Sequence, residues 1–185
     1  MEEGCYRMMR IGITGAHSVG KTTLLNALRS EPYFKDFAIC NEVTREVKEL
    51  GFSINEHGND QTQLMIMQKH IVNIFMNDKM ITDRTALDCL VYSAYLSMKG
   101  KINPNTLVKV KDMYERIMPH YDYIFYIRPE FDIVDDGVRS IDVSFRDGIV
   151  DLFEGFISES ELKVHVLTGS VRSRVDDLMK TIGVQ

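Results

Sequence analysis

The chain has 185 residues, 44% hydrophobic and 26% charged, which is enough apolar material for one ordinary globular domain with a full core. A net charge of −5 offers no general basic field for nucleic acid, and no apolar run is long enough to span a membrane. Three scattered cysteines (Cys5, Cys40, Cys89) without C-x-x-C spacing exclude a disulfide frame or zinc ribbon and fit reduced thiols. The first residues, Met1-Glu2-Glu3, lack a signal-peptide pattern, so the expected location is the cytoplasm.

Residues 1–7 read as a short extension, with Met9 as an alternative start. The apolar run from Met8 to Thr14 is the first strand, and a helix follows from about Gly20 to Arg29. Phe37 to Cys40 is a short second strand ending at Asn41 and Glu42, and Val43 to Leu50 is a helix closed by Gly51. Phe52 to Asn59 is polar and reads as a loop. Asp60 is the expected N-cap of a long helix to about Asn77, with Leu64, Met67, Ile71, Ile74 and Phe75 on its buried face. Lys79 to Thr82 is a third strand ending at Asp83-Arg84, and helices follow from Thr85 to Met98 and from Pro104 to Met118. Asp122 to Ile127, rich in aromatic and β-branched residues, is a fourth strand. A charged stretch from Arg128 to Asp147 precedes a helix to about Ser158. Lys163 to Leu167 is the last strand, before a helix from Val171 to Ile182. Five strands alternating with helices predict a three-layer α/β fold, a five-stranded mainly parallel sheet with a mobile lid, spanning residues 1–185 as one domain.

Gly15-Ala16-His17-Ser18-Val19-Gly20-Lys21-Thr22 is a complete G-x-x-x-x-G-K-T phosphate-binding loop, placed between a strand and a helix as its mechanics require. Its glycines let successive N–H groups face an anion, and the helix that follows aims its positive end there. Lys21 supplies a charge for the β- and γ-phosphates, and Thr22 supplies a hydroxyl for Mg²⁺. The nucleotide-binding set is Gly15 to Thr22 with Thr23 and Arg128. His17 sits where many residue types are tolerated, so its imidazole reads as incidental.

Ligands in open α/β sheets bind beyond the carboxyl ends of the strands, so the residues delivered there carry the chemistry. Asp83 ends an apolar segment in a Walker-B-like pattern and reads as a ligand of metal-bound water or as a base, against a plain helix cap. Arg84 can reach the migrating phosphoryl, with Asp88 one turn on to orient it or merely to form a surface pair. Glu42 is placed to accept a proton from a hydroxyl, or it is a solvated carboxylate paired with Arg45, for which Glu46 competes. The segment Ile133 to Asp147, with Asp135, Asp136 and Gly137, reads as a water-excluding lid whose cations are Arg128, Arg139 and Arg146, against an ordinary solvated loop. His57, His70, His120 and His165 lack metal-ligand spacing and read as surface or satisfied residues. Tyr92 and Tyr95, on the helix after Asp83-Arg84, read as core packing, against contact with an acceptor base.

With the phosphate loop, Asn41-Glu42-Val43-Thr44-Arg45-Glu46, Asp83-Arg84 and Val134-Asp135-Asp136-Gly137-Val138-Arg139 together, the chain from about Arg10 to Ile182 resembles a family of small P-loop kinase-like ATPases. That family includes the nicotinamide-riboside kinase domain of NadR-type proteins and many phage kinases, and its layout is similar to thymidylate and deoxynucleoside kinases. The resemblance implies ATP and Mg²⁺ as cofactors and a nucleoside or nucleotide acceptor. It also implies a catalytic set of Lys21, Glu42, Asp83, Arg84 and the lid's Arg139, with Thr22 and Asp83 on the metal. It admits a second acceptor, 5-hydroxymethyluracil in DNA, because the family contains phage enzymes of base hypermodification. A homodimer is admitted and no membrane partner is expected. The competing reading is a non-kinase regulatory ATPase or GTPase. A guanine-reading switch wants D-x-x-G and N-K-x-D elements, and neither occurs. A ring-forming ATPase of the AAA+ kind wants an added helical domain, for which the chain is short.

Overall fold

The computed structural model describes residues 8–41, 43–130 and 143–184. Strand β1 (Met9–Thr14) is buried at all six positions, which requires helices on both faces of the sheet. It lies between β3 (Lys79–Asp83) and β4 (Tyr123–Ile127), with β2 (Ala38–Cys40) and β5 (Val164–Leu167) outermost. The order is β2-β3-β1-β4-β5 and every pairing is parallel. The chain leaves β1 for one edge, returns through β3 and then crosses to β4. The crevice at the carboxyl end of β1 is therefore the topological switch point, where this architecture places its ligands.

The helices are α1 (Lys21–Arg29), α2 (Val43–Glu49), α3 (Asp60–Met76), α4 (Ala86–Met98), α5 (Pro104–Ile117), α6 (Val143–Glu159) and α7 (Val171–Thr181). Helix α1 packs on α7, whereas α3, α4, α5 and α6 pack on one another, giving the three layers. Gly12 lets the second group close on β1, since a Cβ there would lie 2.4 Å from the Thr85 methyl and 3.1 Å from the Tyr121 ring.

Three local expectations change. The N-cap of α3 is Asn59, not Asp60: the Asn59 side chain accepts from the Thr62 N–H at 3.1 Å and its own N–H donates to the Thr62 hydroxyl at 2.8 Å. Asp60 instead accepts from the Asn103 N–H at 2.8 Å. The buried face of α3 is rotated to Thr62, Gln63, Ile66, Met67, His70 and Ile74, leaving Phe75 60% exposed. Gln63 is accommodated on this buried face because its amide oxygen takes the Ser93 hydroxyl of α4 at 3.1 Å. Finally, α6 begins at Val143, so Phe145 and Arg146 are helical rather than part of a charged loop reaching to Asp147.

Candidate functional site

The loop from β1 to α1 curls as its sequence dictates. Gly15 has φ +143° with its would-be Cβ 2.6 Å from the Ile127 carbonyl, and Gly20 has φ +91°, so both positions need glycine. Ser18 completes the curl at φ 61°. Lys21 is 5% exposed, and its ammonium donates to the carbonyls of Gly15 at 2.7 Å and Ala16 at 2.6 Å. That holds the charge inside the concavity formed by the loop. Thr23, next along α1, is exposed.

Strand β3 brings the acidic partner. Ile13 pairs with Asp83, so the two strand ends lie side by side, and the Thr22 hydroxyl donates to the Asp83 carboxylate at 2.6 Å. Asp83 is therefore not the cap of α4; that position belongs to Thr85, whose side chain accepts from Leu87 N–H while Asp88 accepts from Thr85 N–H at 2.8 Å. A hydroxyl and a carboxylate at this separation are hard oxygen donors of the kind Mg²⁺ takes together with phosphates and water. Among the described residues no group of three His, Cys, Asp or Glu forms a closed metal cage, and Mg²⁺ in nucleotide sites does not use one.

Arg84 follows with φ 81°, an uncommon conformation for a long side chain, and its backbone N–H donates to Ile13. Its guanidinium is buried, 3.6 Å from the Asp88 carboxylate and over the Tyr92 ring at 5.1 Å. Asp88 also accepts from the Thr14 hydroxyl at 2.6 Å, so the Arg84–Asp88 pair is an internal anchor and not a surface ion pair. On the β2 side, Thr22 and Asp83 open into a cleft of about 440 Å³ lined also by Asn41, Arg45, Glu46 and Glu49. Glu46 takes Lys69 of α3 at 2.6 Å, drawing it across to the neighbouring helix.

Other expectations fare differently. Arg128, largely exposed, is paired through two nitrogens with Glu154 of α6 at 3.0 and 3.1 Å. Arg146 stands in the first turn of α6. His17 is not incidental. It is 1% exposed, its Nδ1 lies 3.2 Å from the Tyr92 hydroxyl, and it stacks on Phe145 at 5.4 Å. Glu42, Asp135, Asp136, Gly137 and Arg139 lie outside the described residues.

The phosphate loop, the parallel sheet order and the Thr22–Asp83 pairing define a P-loop NTPase architecture. A family model described as an AAA domain matches residues 10–174, most of the chain. This chain belongs to that AAA domain family. Its fold also matches solved structures at low identity. The NadR protein in complex with NR superposes with a TM-score of 0.73 at 19% identity, covering 97% of this chain and 53% of the other. The deoxyadenosine kinase from M. mycoides, with products dCMP and a flexible dCDP bound, superposes at 0.68 and 15% identity, covering 94% and 98%. The AAA domain described here thus spans about half the length of the NadR protein. A search of the curated proteins finds no match. Among the described residues, no helix of this AAA domain is long and apolar enough to cross a membrane.

Two site residues of the AAA domain escape a motif search. Arg174 of α7 is 2% exposed, and it donates to the Val19 carbonyl in the phosphate loop at 3.1 Å and to Glu130 at 2.8 Å. Glu130 also accepts from the Gly169 N–H at 3.0 and 3.1 Å; that N–H, then the Arg174 guanidinium, hold its carboxyl below the usual range. One clamp thereby joins the phosphate loop to the loops that follow β4 and β5. The available signal was the spacing Val171, Arg174, Val175, Leu178, which puts an arginine on the apolar stripe of α7.

His70, expected to be a surface or a satisfied residue, is 1% exposed, with no hydrogen-bond partner for either ring nitrogen among the described residues. Burial, assisted by the Arg84 charge, depresses its pKa to about 3. The folded state therefore binds fewer protons than the unfolded chain, in which the ordinary value of 6.5 holds. This contribution to stability is complete above pH 6.5 and is lost as pH falls toward 3. In His70→Leu, the thermal midpoint should fall less steeply than wild type between about pH 6.5 and 5.5. Parallel curves for the two proteins would contradict this. Burial also pushes the Cys40 thiol up to about 11 and the Cys89 thiol up to about 12, so both stay protonated and unreactive at neutral pH.

Proposed function

We propose that this chain is an Mg²⁺- and ATP-dependent phosphotransferase that passes the γ-phosphoryl to a nucleoside- or nucleotide-type acceptor. The observation that carries the reading is the junction of β1 and β3. There, Lys21 lies inside the phosphate loop, the Thr22–Asp83 pair lines an acceptor-sized cleft, and the buried Arg84 follows Asp83 at the same strand end. The NadR protein is known in complex with NAD and AMP-PNP, and the deoxyadenosine kinase with nucleotides, which supports ATP on this loop and a nucleoside-like molecule beside it.

In this reading the loop N–H groups and Lys21 bind the triphosphate, while Thr22, with water held by Asp83, would hold Mg²⁺. The metal would neutralise charge on the β- and γ-oxygens. An acceptor oxygen forms the new bond to the γ-phosphorus as the bond to the β–γ bridging oxygen breaks and ADP leaves. Asp83 is engaged by Thr22 and is assigned to the metal side, which leaves Glu42, of the two candidate bases, as proton acceptor. Arg84 stabilises charge on the migrating group. With Glu46 paired to Lys69 and Asp83 on the metal side, the cleft keeps Glu49 against Arg45 and no cation in excess, a balance that favours an uncharged hydroxyl over an incoming phosphomonoester.

ADP release would be measured with MgATP against nucleosides, nicotinamide riboside, deoxynucleoside monophosphates and DNA containing 5-hydroxymethyluracil. Stimulation by a nucleoside is the expected result, and stimulation by DNA alone would instead assign base modification. Nucleotide binding with no stimulated turnover, together with nucleotide-driven assembly on sizing chromatography, would move the chain to the regulatory ATPases.

A further inference from the structure

Tyr92 stands between the two halves of the proposed site. Its hydroxyl lies 3.2 Å from Nδ1 of His17, in the middle of the phosphate loop. Its ring carries the Arg84 guanidinium at 5.1 Å, a cation–π contact strengthened by burial of both partners. Behind Arg84, Asp88 holds the guanidinium at 3.6 Å and takes the Thr14 hydroxyl at 2.6 Å, so the residue that leads into the loop is tied to the same anchor. On the far side of His17, the Phe145 ring stacks at 5.4 Å and also meets Tyr92 edge-on at 5.9 Å and Tyr95 at 4.9 Å. His17 thus packs directly on the tyrosine that carries Arg84.

We propose that Tyr92 is a positioning residue that couples the phosphate loop to Arg84, so that nucleotide on the loop fixes the arginine for the acceptor side. The inference rests on the kinase reading of the loop but not on any particular acceptor. Linkage makes the coupling reciprocal: a group that engages Arg84 tightens nucleotide binding by the same factor. The chemistry explains the residue types. Only a side chain with an aromatic face and a polar tip can carry a cation on one surface and hydrogen-bond a loop residue with its end.

The test uses the full chain and AMP-PNP with Mg²⁺. The Nε–H resonance of Arg84, assigned by its disappearance in Arg84→Lys, is followed by NMR through the titration. In wild type, AMP-PNP should shift and sharpen this signal. Tyr92→Phe keeps the ring and removes one oxygen; its Arg84 response should fall severalfold, and AMP-PNP affinity should drop by up to about fivefold, the limit set by a buried hydrogen bond made wholly in the bound state. His17→Leu should match it, while His17→Asn, which places an amide atom where Nδ1 lies, should restore the response. An undiminished Arg84 response in Tyr92→Phe and His17→Leu overturns the coupling. Failure of wild type to bind AMP-PNP is a different result and overturns the nucleotide reading itself.

Discussion

Lys21→Ala should lower phosphoryl transfer about a thousandfold or more, the scale on which single preorganised cationic and hydrogen-bonding groups act on developing charge. The wild-type ammonium is pinned between the Gly15 and Ala16 carbonyls and is 5% exposed, so its position is set before any nucleotide arrives. A charge held in a water-poor concavity acts far more strongly on a phosphate than one in solvent. The variant also strips two carbonyls of their donor, which should cost about 1–2 kcal/mol of stability. Steady-state ADP release and a thermal melt read the two effects separately. A folded Lys21→Ala protein that turns over like wild type removes the kinase assignment.

Asp83→Asn should raise the Mg²⁺ requirement of transfer about ten- to a hundredfold, the usual cost of disturbing a group that orients a metal ligand. Its amide oxygen can still accept from Thr22, so the packing around the 2.6 Å contact survives while the negative charge is lost. The deficit should therefore shrink as Mg²⁺ is raised, and AMP-PNP affinity without metal should hardly change. A variant whose deficit is independent of Mg²⁺ would place Asp83 on the acceptor proton instead. Titrating turnover against Mg²⁺ at saturating ATP separates these roles.

Strands were legible because each is an apolar run closed by a polar residue or a glycine. Local chemistry also named the phosphate loop and put Asp83 and Arg84 at a strand end. What sequence could not give was the rotation of α3. Its apolar residues occupy more than one face, and the buried face also takes a glutamine whose amide meets Ser93 on another helix. His17 was misread for a related reason, since its partners Tyr92 and Phe145 are remote in sequence and only the fold brings the three rings together. Arg128 shows another long-range partner: Glu154, 26 positions on in α6, pairs with this strand-end arginine.

The clamp on the phosphate loop has a consequence for the order in which the chain becomes competent. Val19 and Arg174 are separated by 155 positions, yet the second holds the carbonyl of the first. Contacts of such long sequence separation form late, and domains emerge from the ribosome starting at their N-terminal end. A nascent chain that has not yet released α7 carries the whole G-x-x-x-x-G-K-T motif without its brace. The brace on this early-made loop thus cannot form before α7 has been made.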